Sequence, residues 1–387
     1  MLSSLGRYTV LDVRCTADTF VNRARFGRST RELSVAMLAA ALLFLAPLAP
    51  PAAAQREPHP SADNPPVIIP GNPVQALFVQ GSGKTKVYML VGAGPANIAL
   101  QVGDEGALLV DTGTAAMAGQ TLAAVKHLMA GLTDQPIRWI LNTHFHPENT
   151  GGNAPISQAG EQLVENSIGT IPLFGKQNEV QPATVVAQEN VLKRMSAPTG
   201  SVSPTPVAAW PLMTFFTPNK KVVFNNEPIV LIHVPGAHTD GDSLIFFRHS
   251  DVLATGGAFV TTTYPVLDLK AGGSINGSID ALNLIIDLAV PHDHQEGGTY
   301  VIPGEGRLCD QADVVEYRNM VVIIRDRIQD MLKRGMTLEQ VKAARPTIDY
   351  DPRYATRQWT ADMFVEAVYR TLAPTGRTSG AQKSKAE

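Results

Sequence analysis

"LNTHFHPENTGGN", residues 141–153, holds the densest chemistry in the chain. The apolar run "IRWIL" (137–141) leads into it, and a glycine-rich helix start follows it. A strand that ends in a loop opening a helix sets that loop at the carboxyl end of a sheet. Open α/β sheets place their ligands along that edge. His144 and His146 stand two apart there, a spacing that suits one metal ion. A catalytic zinc commonly takes three protein ligands and keeps one position open for water. "HVPGAHTDGDS" (233–243) supplies a third imidazole, His238, again just after an apolar strand.

Outward from this loop, strands and helices alternate. "KVYMLVG", "NIALQVG" and "GALLVDTG" are short strand-like runs bounded by glycines. "MAGQTLAAVKHLMAGL" has helical spacing, with Ala118, Leu122, Val125 and Met129 on one face. After the histidine loop come a strand and short helix in "ATVVAQENV", then a Pro-rich loop over 197–218. Strands follow at "KKVVF", "EPIVLIHV", "DSLIFFR" and "DVLATGG". "SIDALNLIIDLAV" reads as a helix that Ser278 can cap, and "TYVIPGEG" as a last strand and turn. From 312 the apolar spacing is helical, and Gly335 is placed to end the first of three helices. Two groups of strands, each followed by helices, predict a layered α/β fold.

The first 54 residues read as a signal peptide. Arg23, Arg25, Arg28 and Arg31 precede the apolar run "LSVAMLAAALLFLAPLAP", and small residues follow near Ala54. The run is short and broken by Pro47 and Pro50, so no stable membrane span is expected after processing. Export to the periplasm or beyond is the expectation. Residues 55–85 are expected as an extended leader, 86–310 as the α/β domain, 311–373 as C-terminal helices and 374–387 as a disordered polar tail. The two cysteines are Cys15 and Cys309, so processing would leave one thiol and no internal disulfide. The net charge is −3 with no basic stripe, which argues against nucleic acid and for a small-molecule substrate. No feature sets the oligomeric state.

"LLVDTG" (108–113), "NTHFHPENTGGN" (142–153), "PGAHTDGDS" (235–243), "ATGGAF" (254–259) and "VIPGEG" (301–306) fall in one order and spacing. In that order the chain resembles the metallo-β-lactamase superfamily, nearest the exported zinc-hydrolase branch with quinoprotein-relay-like members. The likeness spans roughly 85–310, and "RPTIDYDPRY" (345–354) in the helical region fits the same branch. It implies a four-layer αβ/βα sandwich with a metal site at one edge and a C-terminal helical extension. It also implies hydrolysis of esters, thioesters or amides, β-lactams included.

The departures from the pattern define the chemistry. The superfamily's His-x-His-x-Asp-His motif is met by His144 and His146, followed by Glu148 and Asn149. Gly257 stands where a carboxylate would bridge two metals, and Glu305 where a histidine would stand. The ligands of the first metal, His144, His146 and His238, are intact. Three neutral imidazoles can hold Zn²⁺ with a water whose pKa falls to about 7. The expected centre is therefore a one-zinc site with hydroxide as nucleophile. Glu148 and Glu305 are each a candidate general base or acid, and Glu305 is alternatively a fourth ligand that would close the site. A second ion would rest on Glu148, Asn149 and Glu305, an oxygen-rich set suited to a harder ion such as Mn²⁺ or Mg²⁺. Mn²⁺ or Fe²⁺ in a rearranged centre is the metal alternative.

Asp111 matches a superfamily aspartate and is expected to support the site, not ligate. Asp240 and Asp242 are expected to hold the turn after His238. His292 and His294 repeat the two-apart spacing but sit away from the expected edge. His233 is expected packed or hydrogen-bonded, and His127 solvated. Residues 161–182 read as an insertion at the opposite edge. Aromatics of the Pro-rich loop, Trp210 to Phe216, and Tyr264 are candidate pocket walls or packing residues. The loss of four ligand positions also fits an alternative, a non-catalytic descendant that uses the old pocket to bind a small molecule or a partner.

Overall fold

The computed structural model describes residues 66–162, 181–197, 204–292, 294 and 298–373. The expected signal segment, the tail from 374 and most of the 161–182 insertion lie outside these residues. The chain divides between Arg56 and Glu57.

The first sheet runs in chain order: β1 (Pro66–Val67), β2 (Gln75–Ser82), β3 (Thr85–Val91), β4 (Ile98–Gly103), β5 (Gly106–Val110), β6 (Ile137–Leu141), β7 (Thr184–Gln188) and β8 (Met213–Phe215). Neighbours from β1 to β5 are antiparallel and those from β5 to β8 are parallel. Parallel neighbours need crossovers. They contain α1 (Ala118–Met129), then α2 (Pro147–Thr150) with α3 (Asn153–Gln158), then α4 (Glu189–Ser196).

The second sheet contains β9 (Asn219–Phe224), β10 (Glu227–His233), β11 (Ser243–Phe247), β12 (Val252–Ala254) and β13 (Tyr300–Ile302), ordered 13-12-11-10-9. Its one parallel pair, β12 with β13, is joined through α5 (Ile275–Leu288). Then come α6 (Gln311–Lys333), α7 (Leu338–Ala343), α8 (Asp351–Tyr354) and α9 (Ala361–Leu372).

Three apolar clusters stack these elements. Met89, Leu108, Val110, Leu231, Phe224 and Phe247 fill the space between the sheets. Leu100, Leu109 and Ile140 pack the outer face of the first sheet against Val125 and Leu128 of α1. Leu244, Phe246 and Leu253 pack the second sheet against α5, α6 and α9. The order is helix, sheet, sheet, helix, the expected αβ/βα sandwich with C-terminal helices. Strands buried on both faces, as "IALQVG" and "GALLV" are throughout, read as continuous apolar runs. On α6, Val314, Tyr317, Val321, Ile324 and Ile328 are buried at 3–4 spacing. Each such side chain stabilises by about 1.5–3 kcal/mol. Gly335 follows α6 at φ +77, a left-handed turn that glycine tolerates without a Cβ clash.

Three local readings change, and one open alternative, Tyr264, is resolved. The 55–85 leader contributes β1 and β2, and β2 pairs along β3 with a register shift between Phe78 and Gln80. Those strands escape the eye because glycine, proline and polar residues interrupt their alternation. The Pro-rich loop contains β8, which extends the first sheet. Ser274, not Ser278, caps α5: its Oγ accepts from the Gly277 N–H at 3.0 Å, while Ser278 is buried one turn in. Tyr264 is fully buried, donates to Asp351 Oδ1 at 2.9 Å and stacks on Phe364. It belongs to the core, because its ring faces the C-terminal helices. The described flanks of the insertion meet the start of β6, where Glu161 N–H donates to Ile137 O. No helix among the described residues is long and apolar enough to cross a membrane.

Candidate metal centre

Because β5 and β6 are parallel, the loops that follow them leave the sheet at the same end. Asp111 heads the first loop and Thr143 and His144 head the second. Asp111 sits at φ 63, a left-handed conformation that is strained for a residue with a side chain. Its buried carboxylate is held by three donors. Oδ1 accepts from Thr143 N–H at 2.9 Å, and Oδ2 accepts from Thr143 Oγ1 at 2.6 Å and Asn149 Nδ2 at 2.7 Å. Burial still outweighs these bonds and pushes its pKa up to about 6. Thr143 O accepts from Ser243 N–H, tying this loop to the second sheet.

His238 is presented from the turn after β10. Asp242 holds that turn: Oδ2 accepts from the N–H groups of His238 and Thr239, and Oδ1 from Thr239 Oγ1. Asp240 takes a different role and pairs with Arg194 Nη2 at 2.7 Å. The nitrogens of His144, His146 and His238 lie within 4.8 Å of one another, the one such group of His, Cys, Asp or Glu among the described residues. No carboxylate among the described residues joins this group, and Glu305 lies outside it.

The outward nitrogens fix the tautomers. Val266 O can only accept, so His238 Nδ1, 2.6 Å away, carries a proton. The His146 Nε2 lies 3.1 Å from Asp268 Oδ2, whose carboxyl stays below its usual range despite burial because His146 and backbone N–H groups donate to it. His146 Nε2 therefore carries the proton. Thr143 Oγ1 gives its own proton to Asp111, so it accepts from His144 Nδ1 at 3.1 Å. That leaves Nε2 of His144, Nδ1 of His146 and Nε2 of His238 as lone pairs. Two of them face each other at 2.8 Å, His146 Nδ1 and His238 Nε2. Two lone pairs at that distance repel unless a cation lies between them. Burial, and mutual repulsion of their charged forms, lower the pKa values of His144 and His146, so protons bind poorly. The donor set fits a metal ion.

The substituted positions are also placed. Asn149 directs its amide N–H to Asp111. Gly257 touches His238: a Cβ there would lie 2.5 Å from its Cδ2. Glu148 Oε1 is 4.0 Å from His146 Nδ1. Glu305 accepts from Thr262 Oγ1 at 3.0 Å, and burial with the nearby Glu148 charge raises its pKa. Both glutamates line a cleft of ≈ 70 Å³ with His144, His238, Asn149 and Gly257. Trp210 instead packs against the cluster of Ala187, Val191, Met195 and Ala209, and Phe216 is exposed. His233 donates from Nε2 to Asp240 O at 2.9 Å, and His127 is exposed. His292 and His294 join no metal group among the described residues.

Sequence reading missed Thr143, Asp268, Val266 and Arg194. Thr143 had one signal, its place between β6 and His144. Asp268 and Val266 had none, since they lie far along the chain in "YPVLDLK" (264–270).

The metallo-beta-lactamase superfamily profile matches residues 91–296. Among solved structures, a double mutant of the sec-alkyl sulfatase PisA1 aligns over 76% of this chain at 16% identity and a TM-score of 0.52. The aligned region covers 50% of that sulfatase, so this chain spans about half its length. A metallo-beta-lactamase from Pontibacter korlensis covers 67% of this chain and 99% of its own, at 16% identity and TM-score 0.43. The DIM-1 metallo-beta-lactamase covers 67% and 97%, at 13% identity and TM-score 0.42. A search of curated protein sequences finds no match. With more than half of its length matched by the profile, the chain belongs to the metallo-beta-lactamase superfamily.

Proposed function

We propose that this chain is an exported hydrolase that works with one metal ion, zinc by preference, on an ester, thioester or amide. The observation that carries the reading is the pair of facing lone pairs on His146 and His238, with every outward imidazole nitrogen already committed. A divalent ion held by His144, His146 and His238 would polarise a carbonyl and lower the pKa of water. Three protein ligands would leave one position for water or substrate on a bound ion, as catalytic sites require. One ion is favoured because Gly257 offers no bridging carboxylate and Asn149 is bonded to Asp111.

The chain's own residues supply the rest. Glu148, 4.0 Å from a ligand nitrogen, is placed to accept a proton from water in the cleft. Glu305, in the same lining, is placed to return a proton to the leaving group. Asp268, Val266 and Thr143 hold the three rings in orientation. The leader sequence over residues 1–54 supports export. β-Lactams are within the chemistry, but the altered second metal position makes them the weaker substrates.

The loss of four ligand positions favours a second reading, a non-catalytic binding protein. A screen of ester, thioester, amide and β-lactam substrates, with His146→Ala beside the native chain, separates the two. Turnover by the zinc-loaded protein that His146→Ala abolishes supports the hydrolase. A protein shown to hold one zinc that turns over none of these classes overturns it.

A further inference from the structure

The charge balance of the cleft bears on what it accepts, and the inference rests on the hydrolase reading above. Glu148 and Glu305 both line the cleft, with no lysine or arginine among the described residues that line it. Glu148 has no ion pair closer than its 4.0 Å approach to His146 Nδ1, and its side chain is 37% exposed. Glu305 accepts from a neutral hydroxyl. Behind the imidazoles stand two more carboxylates, Asp111 and Asp268. Arg194 is committed to Asp240 through two of its nitrogens and to Lys270 O. A divalent ion on the three neutral imidazoles would face four carboxylates, Glu148, Glu305, Asp111 and Asp268, so negative charge stays in excess around it.

A second ion is the protein's other means of neutralising these glutamates, and the structure withholds its ligands. Asn149 gives its amide to Asp111. A carboxylate at 257 has no room, since even a Cβ would strike the His238 ring. The rest of the lining includes Ala96, Val260 and Val266, apolar surface that suits methylene or methyl groups beside a charge.

We propose that the cleft takes a substrate with a small alkylammonium group beside a neutral ester or amide carbonyl, the cation facing Glu148 and Glu305. Substrates that are anionic next to the scissile bond meet no cationic side chain among the described lining residues.

The test uses the zinc-loaded full chain and three small alcohols titrated by calorimetry: choline, its neutral isostere 3,3-dimethylbutan-1-ol, and the anion 3-hydroxypropionate. Choline is expected to bind about tenfold more tightly than the isostere, the scale of one partly screened ion pair, and 3-hydroxypropionate more weakly than either. Glu305→Gln should cut the choline-to-isostere ratio at least threefold. Glu148→Gln is the second variant should the first fail to fold. Equal affinity for choline and the isostere, no choline binding, or tighter binding of the anion overturns the proposal. So does a content of two zinc ions per chain, since the glutamates would then be neutralised by metal. A parallel assay with p-nitrophenyl acetate keeps the two readings apart. Choline selectivity without ester turnover supports the charge inference and counts against the hydrolase.

Discussion

Gly257→Ala puts one methyl group where His238 already stands. The added Cβ would lie 2.5 Å from Cδ2, 2.9 Å from Cγ and 3.1 Å from Nε2 of that ring. Ordinary contact begins at 3.4 Å. The ring must therefore retreat by about 0.9 Å to recover normal packing. It has little freedom to do so: Nδ1 is held at 2.6 Å by Val266 O, and the backbone N–H at 2.7 Å by Asp242. Metal–ligand distances tolerate only about 0.2 Å, so the retreat takes Nε2 out of the ligand set. Losing a partner that merely aims a ligand costs about 10–100-fold in metal affinity. Displacing the ligand itself should cost at least about 100-fold, or about 2.7 kcal/mol. Competition for zinc against a chromophoric chelator measures this directly, and circular dichroism shows that the fold survives. Zinc affinity within about threefold of the native chain would refute the placement of His238 against Gly257. Gly257→Asp meets the same clash and is expected not to restore a second metal, although it supplies the missing carboxylate.

Asp268→Ala frees His146 Nε2 and should weaken zinc about 10–100-fold in the same competition assay. Asp242→Ala strips three donors of their acceptor in a buried turn and should cost about 2–4 kcal/mol in urea unfolding. Protons compete with metal only below each imidazole's pKa, and His144 and His146 are both depressed. Three imidazoles at the ordinary value would lose about 50-fold in affinity between pH 7.5 and 6.0; this centre should lose less than about tenfold over that range, read as zinc affinity against pH. Tyr264→Phe removes hydroxyl bonds to Thr347 O and Asp351, and should cost about 1–2 kcal/mol of stability while leaving zinc binding unchanged.

The sandwich was legible because strands buried on both faces carry unbroken apolar runs, as "GALLV" and "SLIFF" do, and because their loops carry ordered motifs. The three histidines were legible for a related reason, since each lies in a loop within five residues of a strand end. The hairpin edge at β2 was hidden by its irregular alternation. The support of the site was hidden by distance along the chain: Asp268 lies 122 residues from His146, and no local pattern marks it. Tyr264 read equally as a pocket wall or a packing residue, because nothing local along the chain says which way its ring turns. Its ring turns into the C-terminal helices, a choice set by packing with Phe364 and Tyr354.

The central claim is that His144, His146 and His238 hold a single metal ion. Elemental analysis of the purified chain beside His238→Ala, both exposed to equal zinc and then desalted, tests it most directly. The account predicts one zinc per native chain and none retained by the variant. A native chain that retains no zinc, or retains two, would contradict it.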